Sequence, residues 1–269
     1  MVHFFADRNV FPRSSTFRKV NVPMTNPLIQ LWHRVVSGGI WTNEKIIFYP
    51  KLRSFYAKRI PESPLIFDVG ANRGQTIKFF QSIFKKPIIH AFEPSSVVLD
   101  ELRKFESDSV FLHLFALGAK SEMKTFYECV FDEVSSLQKP DINSAYFKFK
   151  SKVLLTKPEE MLQEKVVSVR TIDEIVSENH IECINVLKID VEGHELEVLR
   201  GATKSLGKGI IKYLQLEAHV DGQYSVGPNE IEAFLKTYNY KKSAEIKHGF
   251  GNFYDMIFQP LSQAGVASV

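Results

Sequence analysis

Cysteine is nearly absent from this chain: Cys129 and Cys183 are the only two in 269 residues, and neither belongs to a C-x-x-C pair. That excludes a disulfide framework and a thiolate zinc cluster, and it leaves both residues as small hydrophobes expected in the interior. No apolar run reaches the roughly 18 residues needed to cross a bilayer. The opening Met1-Val2-His3-Phe4-Phe5-Ala6-Asp7-Arg8 lacks the basic-then-apolar order of a secretion signal, so a cytoplasmic location is expected. Internal repeats and low-complexity segments are also missing. What remains, 44% apolar and 24% charged residues, is the composition of a globular protein large enough for one principal core.

The most informative stretch is Leu65-Ile66-Phe67-Asp68-Val69-Gly70-Ala71-Asn72-Arg73-Gly74, followed by Ala91-Phe92-Glu93-Pro94. It reads as a strand, a glycine-hinged turn, a helix from Gln75 and a second strand ending in an acid. Glu93 follows Asp68 at the interval of one helix and one strand, where a carboxylate accepts hydrogen bonds from two ribose hydroxyls. A dinucleotide turn needs G-x-G-x-x-G, with its middle glycine making room for a pyrophosphate. Here position 72 is Asn, and Asp68 just before the first glycine disfavours a phosphate and favours a cationic group. S-adenosylmethionine, with a ribose, an ammonium and a sulfonium but no phosphate, fits better than NAD.

Pro61-Glu62-Ser63-Pro64 marks a boundary, because each proline forces extended backbone before it. Residues 1–63 are read as a basic, partly helical extension, 64–260 as the catalytic domain and 261–269 as a loose tail. Strands at 65–69, 88–92 and 110–115 alternate with helices from Gln75 and over 96–105, which predicts a parallel sheet. An insertion over about 119–170 breaks the rhythm, with 123–130 as an added strand. Thr171-Ile172-Asp173-Glu174 has the form of a capping box. Asn185 to Ile189 reads as a central strand whose charges gather at its C-terminal end, and one helix is expected over 195–206. Further elements follow: a strand over 211–217, a helix over 229–237 and an antiparallel hairpin of 243–247 with 253–259. Residues 1–60 hold ten Lys or Arg against Asp7 and Glu44, net +8, so the whole chain's +3 leaves −5 on the remainder. With Leu28-Ile29-Gln30-Leu31-Trp32-His33-Arg34-Val35-Val36, this basic end is open to two readings. It is either a surface for an anionic membrane or lipid-linked substrate, or a solvated helical cap over the sheet.

Phe67 to Gln75, Ala91 to Pro94, Ala116-Leu117-Gly118, Ser135-Ser136-Leu137, Arg170 to Asp173 and Lys188-Ile189-Asp190-Val191-Glu192-Gly193-His194-Glu195 onward to Ala202 form an ordered set. Together they resemble the FkbM family of S-adenosylmethionine-dependent methyltransferases, over about residues 64–259. The resemblance implies a class I methyltransferase, Rossmann-like α/β fold: a mostly parallel seven-stranded sheet with helices on both faces and an antiparallel C-terminal hairpin. It also implies methylation of a hydroxyl, on a sugar of a bacterial glycan or on another natural product.

Under that reading Asp68 and Gly70 line the methionine part of the cofactor, and Asn72 and Gly74 shape the turn. Glu93 holds the ribose, Pro94 and Ser95 wall one adenine face, and Ala116 and Leu117 cover adenine. A hydroxyl acceptor needs a base or metal to take its proton. Asp190 is the first candidate and Glu192 the second, followed by His194 and His219. Asp190, Glu192, Glu217 and His219 are also the residues that could gather around a magnesium-like ion. An NAD-dependent oxidoreductase is disfavoured by the absent middle glycine and the lack of a Tyr-x-x-x-Lys pair. A non-catalytic nucleotide-binding module is disfavoured by the strand-end acids. Nucleic acid is not expected as a partner, because the half of the chain carrying the site is net acidic.

Overall fold

The computed structural model describes residues 44–129, 135–144, 148, 151–152, 157–219, 227–248 and 253–261. A π-helical turn, Glu44–Phe48, leads into α1 (Tyr49–Tyr56). Then follow β1 (Leu65–Val69), α2 (Gln75–Ile83), β2 (Ile88–Phe92), α3 (Leu99–Leu102), β3 (Val110–His113), β4 (Ala116–Leu117) and β5 (Glu122–Cys129). The chain continues through β6 (Leu162–Arg170), α4 (Ile172–Glu178), β7 (Ile184–Ile189), α5 (Glu195–Arg200), α6 (Thr203–Gly207) and β8 (Ile211–His219). It closes with α7 (Pro228–Thr237), β9 (Tyr240–Lys247) and β10 (Phe253–Pro260).

The seven-stranded sheet runs β3-β2-β1-β7-β8-β10-β9. Its first five strands are parallel, and β10 is antiparallel to both β8 and β9. This is the mostly parallel sheet with a C-terminal hairpin expected from the sequence. Buried strands such as β1, Leu-Ile-Phe-Asp-Val, are apolar on both faces because helices cover both. Leu52, Tyr56, Ile77 and Phe80 of α1 and α2 join one core with Ile66, Ile89, Val186 and Ile257. The other core gathers Ile172, Val198, Leu206 and Leu235 from α4–α7 against Phe67, Val69, Leu187, Leu214 and Phe258. Lys51, Arg53, Lys58 and Arg59 point outward while Leu52 and Tyr56 are sealed, so α1 caps the sheet with its basic side chains in solvent. The stretch Leu28–Val36 lies outside the described residues.

Three elements depart from the expected pattern. The strand from Val110 stops at His113, and Ala116–Leu117 leaves the main sheet to pair with β6, building a second, three-stranded sheet in the order β4-β6-β5. The helix expected over 96–105 shrinks to α3 and a 3-10 turn, Arg103–Phe105, because backbone N–H of Ser96 bonds instead to Glu128 of β5. The helix expected over 195–206 is split into α5 and α6 at Gly201-Ala202. A side chain on Gly201 would collide with the Gly118 carbonyl, so the helix is drawn against the β4 turn there. Asp173 then caps the restarted helix, accepting from Lys204 N at 2.8 Å and Ser205 N at 2.9 Å. The Thr171–Glu174 capping box is present in both directions, at 3.1 Å each. Cys129 is buried as expected, whereas Cys183 is partly exposed.

Leu52→Ala is expected to lower unfolding free energy by about 2–5 kcal/mol in urea titration, the range for truncating a sealed core leucine. Lys51→Ala next to it is expected to stay within about 0.5 kcal/mol.

Candidate functional site

The C-terminal ends of the parallel strands bring the singled-out acids into two rungs across the sheet. In the lower rung Asp68 is register partner to Lys188, and Lys188 to Gln215. In the upper rung Asp190, one residue beyond β7, adjoins Glu217, whose partner on β10 is Asp255. Gly70 permits this closeness. Its φ of +82° is a left-handed conformation, and a Cβ there would collide with the Asp190 carbonyl. Asp190 N donates to Val69 O at 3.0 Å, and Gly70 N to Phe92 O at 3.0 Å, so β1, β2 and β7 are tied at the turn itself.

Asp68 is fully buried, and neither carboxylate oxygen accepts a hydrogen bond among the described residues. Lys188 Nζ lies 3.7 Å from Asp68 Oδ1, too long for a hydrogen bond, and 3.0 Å from Asp190 Oδ2. Burial pushes the Asp68 carboxyl up to about 6 against the pull of Lys188. Burial disfavours the Lys188 charge, yet the Asp190 and Asp68 carboxylates overcome it and hold the ammonium firmly protonated. Glu217 is pushed well above the carboxylate range by burial, by the Asp190 charge and by a hydrogen bond to Asp190. Beyond it, buried Asp255 accepts from the Gln215 amide and pairs with His248 Nε2 at 2.8 Å. Tyr56 closes the chain by donating to Gln215 Oε1 at 2.8 Å, and Phe48 stacks on His248 with centroids 3.9 Å apart.

On the other side of Gly70, Glu93 is buried and held by two backbone donors: Asn72 N to Oε2 at 2.9 Å and Ser95 N to Oε1 at 2.8 Å. Burial outweighs those bonds and raises its carboxyl to about 7. Each oxygen keeps a further lone pair for a hydroxyl donor. Asn72 adopts φ +46°, and its buried Oδ1 has no partner among the described residues. Gly74 is the left-handed N-cap of α2. Pro94 is partly buried and Ser95 buried, its hydroxyl turned to Glu128. Ala116 and Leu117 are also buried, but as β4: Ala116 belongs to the small core of the second sheet and Leu117 to the main core.

The acceptor-side candidates separate. Asp190 stands with Lys188 and Glu217, and Glu192 follows at φ +55° in the turn that Gly193 completes at φ +93°. His194 is buried at the start of α5, with Gly118 beside its ring. Burial, with Lys124 nearby, lowers it to about 4, a neutral imidazole facing the second sheet. His219 ends β8, and its side chain lies outside the described residues. No group of three or more His, Cys, Asp or Glu is arranged to hold a metal ion among the described residues.

Four residues were given no role in the sequence reading. Lys188 was a visible anomaly, a lysine inside an apolar strand. Glu195 accepts from Val191 N at 3.2 Å and Gly193 N at 3.1 Å, clamping the turn after β7. Ser136 and Glu128 bind the turns from the second sheet, and the pairings that bring them there span distances no local pattern encodes.

Asp68, whose oxygens accept no hydrogen bond, and Asn72, whose Oδ1 has no hydrogen-bond partner among the described residues, flank the turn opened by Gly70. The family model described as methyltransferase FkbM domain matches residues 68–242. The hexuronic acid methyltransferase AglP of Haloferax volcanii is 42% identical over 60 residues, 22% of this chain and 25% of that protein. The chain thus matches only a quarter of the length of that curated relative. Among solved structures, magnesium protoporphyrin IX methyltransferase ChlM from Synechocystis PCC 6803 with bound SAM is similar at TM-score 0.45 and 12% identity, covering 87% of this chain and 83% of that one. M. capricolum TrmK in complex with S-adenosyl-homocysteine is similar at TM-score 0.42 and 12% identity, covering 80% and 70%.

Raised carboxyl values fix a pH dependence. Asp68 at about 6, Glu93 at about 7 and Glu195 at about 7 all lie above their ordinary range, each through burial. The folded chain then holds protons that the unfolded chain releases, so stability from these groups is full below about pH 4 and is lost as pH rises through 6 to 7. Burial lowers His90, His113 and His194, which gives the opposite slope below about pH 6.5, so the acids are expected to show as a fall in the melting temperature of the ligand-free protein between about pH 6.5 and 8, and Asp68→Asn to remove its own share near pH 6. A melting temperature that rises across that window would contradict the assignment.

Proposed function

We propose, since the chain belongs to the FkbM methyltransferase domain family, that it transfers a methyl group from S-adenosylmethionine to a hydroxyl of a sugar in a glycan or glycolipid. S-adenosylmethionine supplies an electrophilic methyl carried on a sulfonium. The observation that carries the reading is Asp68: a fully buried carboxylate with no hydrogen-bond donor, beside a turn opened by Gly70. A buried anion in that state calls for a cation, and the ammonium of the methionine portion answers it. Glu93, held from behind by Asn72 N and Ser95 N, presents its remaining lone pairs to the ribose hydroxyls. Pro94 and Ser95 flank the adenine side.

For the acceptor, Asp190 is the base. Lys188 Nζ, 3.0 Å from Asp190 Oδ2, balances its charge, which supports an ionised Asp190 that receives the hydroxyl proton. Glu192 lies next along the same turn. His194, enclosed against Gly118, is left a structural part. A sugar acceptor is supported by the matching segment of the hexuronic acid methyltransferase.

Glu93→Ala is expected to weaken S-adenosylmethionine binding by about 1.5–3 kcal/mol in calorimetry, the worth of charged hydrogen bonds to two hydroxyls. Unchanged affinity in a folded variant would remove Glu93 from the site. Asp190→Asn is expected to cut turnover by about 10²–10⁴ while leaving S-adenosylhomocysteine binding intact. Labelled methyl from S-adenosylmethionine is expected in glycan or glycolipid fractions of the producing cell. Incorporation only into protein or nucleic acid would overturn the hydroxyl-methylating reading.

A further inference from the structure

Two turns flank the site: Glu93 to Ser96 after β2, on the cofactor side, and Asp190 to Gly193 after β7, on the acceptor side. Neither is held by the main sheet alone. Glu128 of β5, buried to 2% exposure, accepts from Ser95 Oγ and Ser96 N at 2.9 Å each and pairs with Lys165 of β6. Ser95 in turn donates its N–H to Glu93, so Glu128 fixes the residue that fixes the ribose carboxylate. On the same strand, Tyr127 exchanges two backbone hydrogen bonds with Ser136, at 2.8 and 3.1 Å, and Cys129 N donates to Ser135 Oγ at 2.9 Å. Ser136 Oγ accepts from Gln138 N at 3.0 Å and lies 2.8 Å from Glu192 O and 3.2 Å from Val191 O. The Gln138 side chain donates to Gly193 O. The single Ser136 hydroxyl proton goes to Glu192 O, the nearer of the two carbonyls, and Gln138 serves Gly193 O, so two carbonyls of the Val191–Gly193 turn meet donors from the 135–138 segment.

That turn needs holding. Glu192 is a non-glycine residue at φ +55°, a strained backbone that persists where the surroundings enforce it. Glu195 holds the turn's N–H groups from within the main domain, and Ser136 with Gln138 holds two of its carbonyls from outside. A continuous path results, from Glu93 through Ser95, Glu128, Tyr127 and Ser136 to Glu192, without passing through the main sheet.

We infer that the second sheet is a brace that sets the acceptor turn against the cofactor turn, with Glu128 and Ser136 as its two positioning residues. Neither touches the reacting atoms; Glu128 acts through Ser95 and Glu93, and Ser136 through the Val191–Gly193 backbone that carries Asp190 and Glu192. The inference rests on the methyl-transfer reading, because it takes the ligand at Glu93 to be the donor. It assigns a purpose to the Ser135-Ser136-Leu137 block, which otherwise stands apart from the site.

Amide hydrogen exchange of the full chain, with and without S-adenosylhomocysteine, tests it with no acceptor needed. Wild-type protein is expected to gain protection over residues 190–195 when the ligand binds at the 68–95 side. Ser136→Ala is expected to speed exchange at Val191 and Gly193 by about tenfold, the effect of losing one hydrogen bond of typical net worth. Ser136→Ala and Glu128→Gln are each expected to abolish the ligand-induced gain while calorimetry still records binding, and Ser136→Thr, which keeps the hydroxyl, to retain it. Should Ser136→Ala fail to fold, Gln138→Met removes a single donor and carries the same expectation. A ligand-induced gain of wild-type size in the folded variants overturns the brace, as does ligand binding to wild type with no gain over 190–195. Absence of any S-adenosylhomocysteine binding to wild type overturns the methyl-transfer reading, and the brace with it.

Discussion

A lysine ammonium enclosed between two carboxylates at the middle of the sheet is the constraint on which the site depends. Lys188 sits on the central strand, 3.7 Å from Asp68 and 3.0 Å from Asp190. Removing three charges from water is costly, and the arrangement is tolerable because each charge offsets another. It is also incomplete: Asp190 receives the close contact, and Asp68 is left with a distant one and no hydrogen bond. The asymmetry divides the site. Asp190 is closely paired within the protein, while Asp68 keeps only the more distant ammonium, the difference on which the proposed roles of the two rest. The Gly70 turn makes this possible, since any side chain there would push β1 and the Asp190 backbone apart.

Around that centre the protein layers its polar groups so that each acid is held by a different kind of partner. Glu93 is fixed by backbone N–H groups, Glu195 by the turn it clamps, Asp255 by an amide and an imidazole, and Glu217 by a hydrogen bond to Asp190. The consequence is a site assembled from several main-sheet strands yet stiff at each one. The second sheet extends the same logic outward, binding the loops that the parallel strands leave free at their ends.

The parts of this architecture that were legible in the sequence are those written in short range. The Gly70 turn, the Thr171–Glu174 cap and the apolar strands could be read because a few neighbouring residues determine them. Glu93 and Asp190 were placed correctly at strand ends because strand and helix lengths fix the intervals. The second sheet was read as an insertion carrying one added strand, since β4 is two residues long and its partner β6 is far away in sequence. The split of α5 from α6 was hidden for the same reason: Gly201 meets Gly118, and Asp173 caps Lys204 and Ser205, through contacts that exist only in the folded chain. His194 was named alongside its neighbours in sequence, and its ring is buried beside Gly118.

The hydrogen-bonded chain from Tyr56 through Gln215 to Asp255 and His248 also bears on the order in which the protein can form. β10 inserts between β8 and β9, so the antiparallel end of the sheet is completed by the strand made after both of its neighbours. During synthesis α1 emerges long before Asp255, and its sealed tyrosine must wait for an amide whose own anchor has not yet been translated. Until then the Tyr56 hydroxyl lacks the Gln215–Asp255 partners that it has in the folded chain. The first α-helix among the described residues is thus locked late, once the strand that anchors Gln215 has been made.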